Sequence, residues 1–140
     1  MSISDEILED LAFFDDWEER YKYIIDLGKD LSVMHENLHT PERLVKGCQS
    51  NVWIDVDAVA GEKDSDDQLV FVVDSDAVIV RGLLALVMAA FNNKTAKDIL
   101  AFDIDGYFQA LDLEQHLSPT RGNGLRSIVA RIQAIANASV

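Results

Sequence analysis

Two short stretches decide the fold: NVWIDVDA, residues 51–58, and QLVFVVD, residues 68–74. In the first, apolar residues such as Val52 and Ile54 alternate with other side chains, and the second is rich in Val and Phe. Both patterns are typical of β-strands that bury one face. The segment between them, GEKDSDD at residues 61–67, is polar and favours a turn. The two stretches therefore predict an antiparallel hairpin.

Helical spacing of apolar residues predicts helices on both sides of the hairpin. The expected spans are residues 4–14, 17–31, 77–91 and 122–138, with a short helix from residue 95 and helical turns within 102–117. The expected caps are Asp16 for the second span, Asp74, Ser75 and Asp76 for the third, and Thr95 with Asp98 for the short helix.

Helices that precede and follow the strands predict an α+β fold, a small antiparallel sheet flanked by helices. A chain of 140 residues has the length of one ordinary domain, so a single domain over residues 1–140 is expected. Because a two-stranded hairpin is marginal alone, a third strand is expected. The residues that flank Lys46 and residues 33–38 are both candidates for it.

The charge of the chain limits its partners. It carries 25 acidic against 12 basic residues, a net charge of −13, which argues against binding nucleic acid or anionic membranes. The acidity either keeps the protein soluble or meets a basic patch on a partner. The longest apolar run, residues 77–91, is interrupted by Arg81 and Gly82 and is shorter than a bilayer span of ~20 residues. The first residues lack a signal-peptide pattern, so a cytoplasmic location is expected.

The chain has one cysteine, Cys48. An internal disulfide or a CxxC redox pair is therefore impossible, and no Cys/His cluster suggests a zinc site or a cysteine-held iron–sulfur cluster. His35 and His39 have a metal-compatible spacing but lack a third ligand, so no metal site is expected.

The neighbours of Cys48 suit a reactive thiol. Gly47 permits the backbone angles of an exposed turn, Lys46 supplies a positive charge, and Gln49 and Ser50 supply hydrogen-bonding groups. A cation and donors near a thiol favour the thiolate, which is the nucleophilic form. A lone cysteine is also often a small buried hydrophobe. From these residues alone, both interpretations stay open.

Four blocks of the sequence resemble one known family, in the family's order. They are WEERYKYIIDLG at 17–28, VKGCQSNVW at 45–53, DSDAVIVRGL at 74–83 and HLSPTRGNGL at 116–125. The second block resembles the signature of the SufE family of cysteine desulfuration proteins, which includes the CsdE branch. Together the blocks span nearly the whole chain.

The resemblance implies a fold shared with IscU-like cluster scaffolds and a role in sulfur transfer. SufE-like proteins accept sulfane sulfur from the cysteine persulfide of a pyridoxal-phosphate cysteine desulfurase, whose activity they stimulate. They hand the sulfur on towards iron–sulfur cluster assembly. Cys48 would carry the persulfide, and the chain would be a transfer partner without a cofactor of its own. The Cys48 side chain is expected to turn partly inward at rest, since an exposed persulfide is open to oxidants.

Three other residues are candidates for a role beside Cys48. Arg121 either stabilises the thiolate or contacts the desulfurase, or else it forms a surface salt bridge. Asp76 is expected to lie at a helix N-terminus. His116 is a structural histidine or, in a stand-alone cysteine hydrolase, the base. Besides that hydrolase, a CsdE-type carrier serving another acceptor and an adaptor that activates by docking alone remain alternatives.

Overall fold

A computed structural model describes residues 2–47, 50–61, 67–113 and 115–139. It contains the predicted hairpin: β1 (Val52–Val59) pairs antiparallel with β2 (Gln68–Ser75), with Val52 opposite Ser75 and Val59 opposite Gln68. One face of the hairpin is buried, as the alternation predicts. The predicted turn, residues 61–67, lies largely outside the described residues.

Six α-helices surround the sheet in the described part of the chain. They are α1 (Ile3–Ala12), α2 (Trp17–Lys29), α3 (Val78–Phe91), α4 (Ala96–Ala101), α5 (Ile104–Leu111) and α6 (Pro119–Ala138). A short 3₁₀ turn covers Glu36–Leu38. The α+β class is confirmed, as are the caps at Asp16 and Thr95, whose side chains accept the N–H groups of Glu19 and Asp98.

The third strand was predicted in the wrong place. It is β3 (Lys94–Thr95), which pairs with the start of β2 to give the order β1-β2-β3. Asn92, just before β3, holds the chain against β2. Its side-chain amide accepts from the Phe71 N–H at 2.8 Å and donates to the Phe71 carbonyl at 3.3 Å. The segment before Lys46 makes only an isolated bridge, Leu44 to Trp53, and residues 36–38 of the other candidate form the 3₁₀ turn.

The capping of α3 also differs from the prediction. Its N-cap is Ala77, which makes no side-chain capping bond. The Asp74 carboxylate lies between His39, at 2.9 Å, and Arg81, at 3.4 Å. The Ser75 hydroxyl accepts from the Ala77 N–H at 3.2 Å, and Asp76 bonds to Asn51 instead of the helix. No side chain therefore caps α3, and the burial of its residues from Val80 onwards holds the helix in place.

The core forms around α3, which is buried along most of its length. α2 crosses it at a point where Gly28 meets Gly82. A Cβ on Gly82 would lie 2.5 Å from the Ile24 carbonyl oxygen, so the helix backbones are in direct contact. α6 begins three residues before the predicted start because Ser118 caps it and Pro119 occupies its first turn.

In the described residues, none of the helices combines the length and hydrophobicity required to cross a membrane.

Candidate functional site

The site is built on the loop that joins the Leu44 bridge to β1, residues 46–51, here called the cysteine loop. Cys48 and Gln49 lie outside the described residues, so the predictions about their side chains are not tested. The residues on either side of them are described. Both ends of the loop are held by hydrogen bonds to neighbouring elements.

The upstream end of the cysteine loop is pinned to β1 and to α6. The Val45 N–H donates to the Val52 carbonyl at 2.8 Å, so the loop closes on itself at its base. From α6, Arg131 donates to the Glu42 carbonyl at 2.7 Å and approaches the Leu44 carbonyl at 3.5 Å. One guanidinium therefore holds two backbone carbonyls just before the loop.

The downstream end is held by Asp76. The Asn51 N–H donates to the Asp76 carboxylate at 3.1 Å, and the Asp76 N–H donates to the Asn51 carbonyl at 3.3 Å. Asp76 was predicted at a helix N-terminus, and it does lie just before the α3 cap. Its carboxylate, however, ties the cysteine loop to the start of that helix.

Gly47 has the unusual backbone that its sequence context predicts. Its φ is +94°, a conformation that L side chains rarely adopt. A Cβ at this position would also lie 2.7 Å from the Ser127 hydroxyl of α6. Glycine is thus required twice, once by the backbone angle and once by the close approach of α6.

A small cavity of about 30 Å³ opens where the loop returns towards β1. Most of its wall is apolar, from β1, α3 and α6, and its polar side chains are Ser50, Thr120 and Arg121. The full lining is Ser50, Val52, Val80, Leu83, Thr120, Arg121, Gly124, Leu125 and Ile128. Thr120 and Arg121 lie in the first turn of α6, at the positive end of the helix dipole.

Arg121 is half-buried beside Ser50. Within the described residues, no carboxylate lies within 4.0 Å of its guanidinium, so the surface salt bridge considered for it has no partner there. The structure therefore brings Ser50 and Arg121 together at one cavity. Lys46, by contrast, is exposed on a separate groove.

That second groove lies between the residues before Gly47 and the middle of α6. Its lining is Pro41, Glu42, Leu44, Val45, Lys46, Ser127, Ala130 and Arg131. The hydroxyl of Thr40 is the main reason that the pKa of the Glu42 carboxyl is lowered, so this side chain is ionised at neutral pH.

His116 and His39 are occupied elsewhere. His116 stacks on Trp17, with ring centroids 3.9 Å apart, and its Nε2 lies 3.5 Å from Asp112. His39 packs on Trp53 and pairs with Asp74. Among the described residues, no three His, Cys, Asp or Glu side chains are placed to hold a metal ion together.

Sequence reasoning missed Arg131, Ser127 and Thr120. Thr120 lies inside the block at residues 116–125, next to Arg121. Arg131 and Ser127 act on residues more than 75 positions earlier in the chain. No local pattern marks such contacts, so only the packing of α6 reveals them.

Comparison with known proteins gives consistent matches over the whole chain. A family model described as "SufE: Fe-S metabolism associated domain" matches residues 5–136. An uncharacterized SufE-like protein of Rhizobium meliloti is 46% identical over 136 residues, covering 97% of this chain and 96% of the relative. One from Rhizobium etli is 45% identical over 133 residues, covering 95% and 88%.

The fold also matches a solved structure. The solution structure of a hypothetical protein from Thermus thermophilus superposes with a TM-score of 0.76, covering 99% of this chain and 98% of that one. Its sequence identity is 17%, so the likeness concerns the fold alone.

Proposed function

We propose, because this chain belongs to the SufE family of domains associated with Fe–S metabolism, that Cys48 accepts sulfur from a cysteine desulfurase and passes it on. The chain would thereby stimulate the desulfurase and supply a scaffold or another acceptor in iron–sulfur cluster assembly. The pyridoxal phosphate belongs to the desulfurase. The setting we propose is the cytoplasm, where thiols are kept reduced.

The chemistry is an exchange between a thiolate and a persulfide. The Cys48 thiolate attacks the terminal sulfur of the donor cysteine persulfide, the donor S–S bond breaks, and the donor cysteine leaves as a thiolate. Cys48 then carries the transferred sulfur as Cys–S–SH. A second attack, by the acceptor's thiolate on that sulfur, returns Cys48 to its starting form. No oxidant or reductant is consumed in the transfer itself.

The observation that carries the proposal is the cavity beside the cysteine loop. Ser50, only two positions after Cys48, lines it together with Arg121. Its apolar wall would shield a reactive sulfur from water and oxidants. Its polar edge, where Arg121 and the first turn of α6 meet, would stabilise a sulfur anion.

A stand-alone cysteine hydrolase fits this site less well. Such an enzyme needs a base within hydrogen-bond reach of the thiol. None of the described residues that line the cavity is His, Asp or Glu. His116 stacks on Trp17, and Trp17 is not among the cavity residues.

The test is stimulation of a cysteine desulfurase from the same organism, assayed by sulfide release from cysteine. The wild-type chain is expected to raise turnover strongly while showing little turnover alone. Cys48→Ser is expected to abolish the stimulation, because a hydroxyl cannot take up persulfide sulfur. Circular dichroism of Cys48→Ser serves as the folding control. Equal stimulation by a folded Cys48→Ser would overturn the proposal.

A further inference from the structure

Charge is unevenly distributed along this acidic chain. Residues 1–30 carry ten carboxylates and three cations, whereas residues 115–140 carry three arginines and no Asp or Glu. α6 therefore has a cationic surface in a protein of net charge −13. Two elements with cationic side chains, α6 and the cysteine loop, meet at the groove lined by Lys46 and Arg131, here called the cationic groove.

The charge of Arg131 is not cancelled by its hydrogen bonds. Its guanidinium donates to the backbone carbonyls of Glu42 and Leu44, which are neutral acceptors. Arg43, the arginine next to these residues in sequence, instead pairs with the Asp55 carboxylate at 2.8 Å. Arg131 therefore keeps its full positive charge at the groove while it holds the backbone before the loop.

Two cations and one carboxylate line the cationic groove. Lys46 is exposed, two positions before Cys48. The Glu42 carboxylate is the opposing charge, and its pKa is lowered mainly by the hydrogen bond with the Thr40 hydroxyl. With Arg121 from the neighbouring cavity and the Asp76 carboxylate bonded to Asn51, three cations face two carboxylates around the cysteine loop. Their net charge is positive, opposite in sign to the chain as a whole.

We propose that the cationic groove is a docking surface for an acidic segment of the desulfurase that borders its donor cysteine. The inference rests on the proposed function. Sulfur transfer brings the donor cysteine to bonding distance of Cys48, which follows Lys46 by two positions, so the partner's surface around that cysteine would lie close to the cationic groove. A carboxylate-bearing surface would be attracted there and repelled by α1, which carries four carboxylates and no cation. The opposed charges would select one docking orientation and speed the encounter.

The test measures the desulfurase KM for this chain with Lys46→Glu and, as matched control, Lys22→Glu. Lys22 is exposed on α2, where three carboxylates and three cations balance, and its substitution changes the net charge equally. Lys46→Glu is expected to raise the KM about tenfold at low salt, against less than about twofold for the control. Near 0.5 M salt, where the Debye length falls to about 4 Å, the difference is expected to collapse.

Two further measurements separate the possible causes. Arg131→Gln removes a charge without reversing it and is expected to raise the KM by a smaller, equally salt-sensitive factor. The rate at which neutral iodoacetamide alkylates Cys48 reports changes in the thiolate itself, so a KM effect without an alkylation effect is a docking effect.

The outcomes that overturn this inference differ from those that overturn the proposed function. A KM raised equally by Lys46→Glu and Lys22→Glu, or raised equally at high salt, would refute the cationic groove while leaving transfer through Cys48 intact. Weaker self-association of Lys46→Glu, measured by sedimentation with no change in KM, would assign the groove to a second copy of this chain. Stimulation that survives Cys48→Ser would instead refute the proposed function.

Discussion

The crossing of α2 with α3 and the contact of the cysteine loop with α6 both depend on glycine, in different ways. At the crossing, Gly28 and Gly82 let two helix backbones touch, with no room for a Cβ on either. At the loop, Gly47 also has no room for a Cβ, and in addition its φ of +94° is one that L side chains rarely adopt. The first contact only brings two helices together, whereas the second also shapes a loop beside a small cavity of about 30 Å³, where we propose chemistry.

The two regions also differ in polarity. The crossing buries Ile24 and Gly82 in an apolar interior, with one arginine, Arg81, approaching the Gly28 carbonyl at its edge. Where the cysteine loop meets α6, by contrast, the surrounding cations are Lys46, Arg121 and Arg131. A site for an anionic sulfur and a protein partner needs such charges. A buried helix crossing lacks them because burying an unpaired charge costs free energy.

The largest predicted effect is at the crossing. Gly82→Ala should lower the free energy of unfolding by about 3 kcal/mol, because its Cβ would meet the Ile24 backbone rather than a flexible side chain. Gly122→Ala is the matched control in α6, where a Cβ would meet nothing within 4 Å. It should stabilise the protein by about 0.5–1 kcal/mol. Urea denaturation measures both, and equal stabilities would show that the crossing is not tight.

Gly47→Ala should lower the free energy of unfolding less than Gly82→Ala does, and should lower the stimulation of the desulfurase more. An L residue at this backbone angle is strained by about 2 kcal/mol, and its Cβ would press on Ser127. Desulfurase stimulation should therefore fall further than the unfolding free energy alone explains. Combining it with Ser127→Ala removes the steric contact but not the strain, so recovery should be partial. Full recovery in the double variant would mean that the backbone angle is unimportant.

The hydrogen bond from the Asn51 N–H to Asp76, here called the tether, should control how fast Cys48 reacts. Asp76→Ala removes the acceptor of the Asn51 N–H, so Cys48 should react about two- to tenfold faster with iodoacetamide, as expected for one lost hydrogen bond. Asp76→Asn removes the charge but keeps an oxygen acceptor and separates the two effects. If Asp76→Asn accelerates alkylation as much as Asp76→Ala, charge rather than the tether is responsible.

The smallest predicted effect is a pH dependence of the stability that involves Tyr23 of α2. Burial, with the hydrogen bond to Asp10, raises the pKa of Tyr23 from 10.0 to about 12. The native state therefore holds this proton more tightly, and its stabilising contribution is complete below pH 10 and lost as pH rises towards 12. Tyr23→Phe should flatten the fall in stability over this range.

Tyr107, buried and donating to the Leu86 carbonyl, also has a raised pKa and should leave part of the slope in place in Tyr23→Phe. The measurement is the urea midpoint as a function of pH for both proteins. An unchanged slope would show that the pKa of the Tyr23 hydroxyl is the same in the folded and unfolded states.

Periodic patterns in the sequence predicted most of the helices and strands. The alternation of Val52 and Ile54 placed the hairpin, and the spacing of apolar residues placed α1, α2, α3 and α6. β3 has only two residues and depends on the Asn92 amide, so no period marks it. The α3 cap was wrong because Asp76 bonds to Asn51, and Asp74 pairs with the side chains of His39 and Arg81, rather than with N–H groups at the start of the helix.

The candidate site was predictable only where its residues lie close together in sequence. Gly47 and Ser50 stand beside the single cysteine, and Arg121 lies in a family block. Arg131 has no such marker, since the Glu42 and Leu44 carbonyls that it binds are exposed by tertiary packing alone.

The most direct test of sulfur transfer is the mass of the Cys48 peptide. The chain would be incubated with a cysteine desulfurase and cysteine, trapped with iodoacetamide and digested without reductant. A carrier is expected to gain ~32 Da on the Cys48 peptide, the mass of one sulfur, and to lose it on reduction. A chain that stimulates the desulfurase while its Cys48 peptide stays at the unmodified mass would contradict the account and favour activation by docking alone.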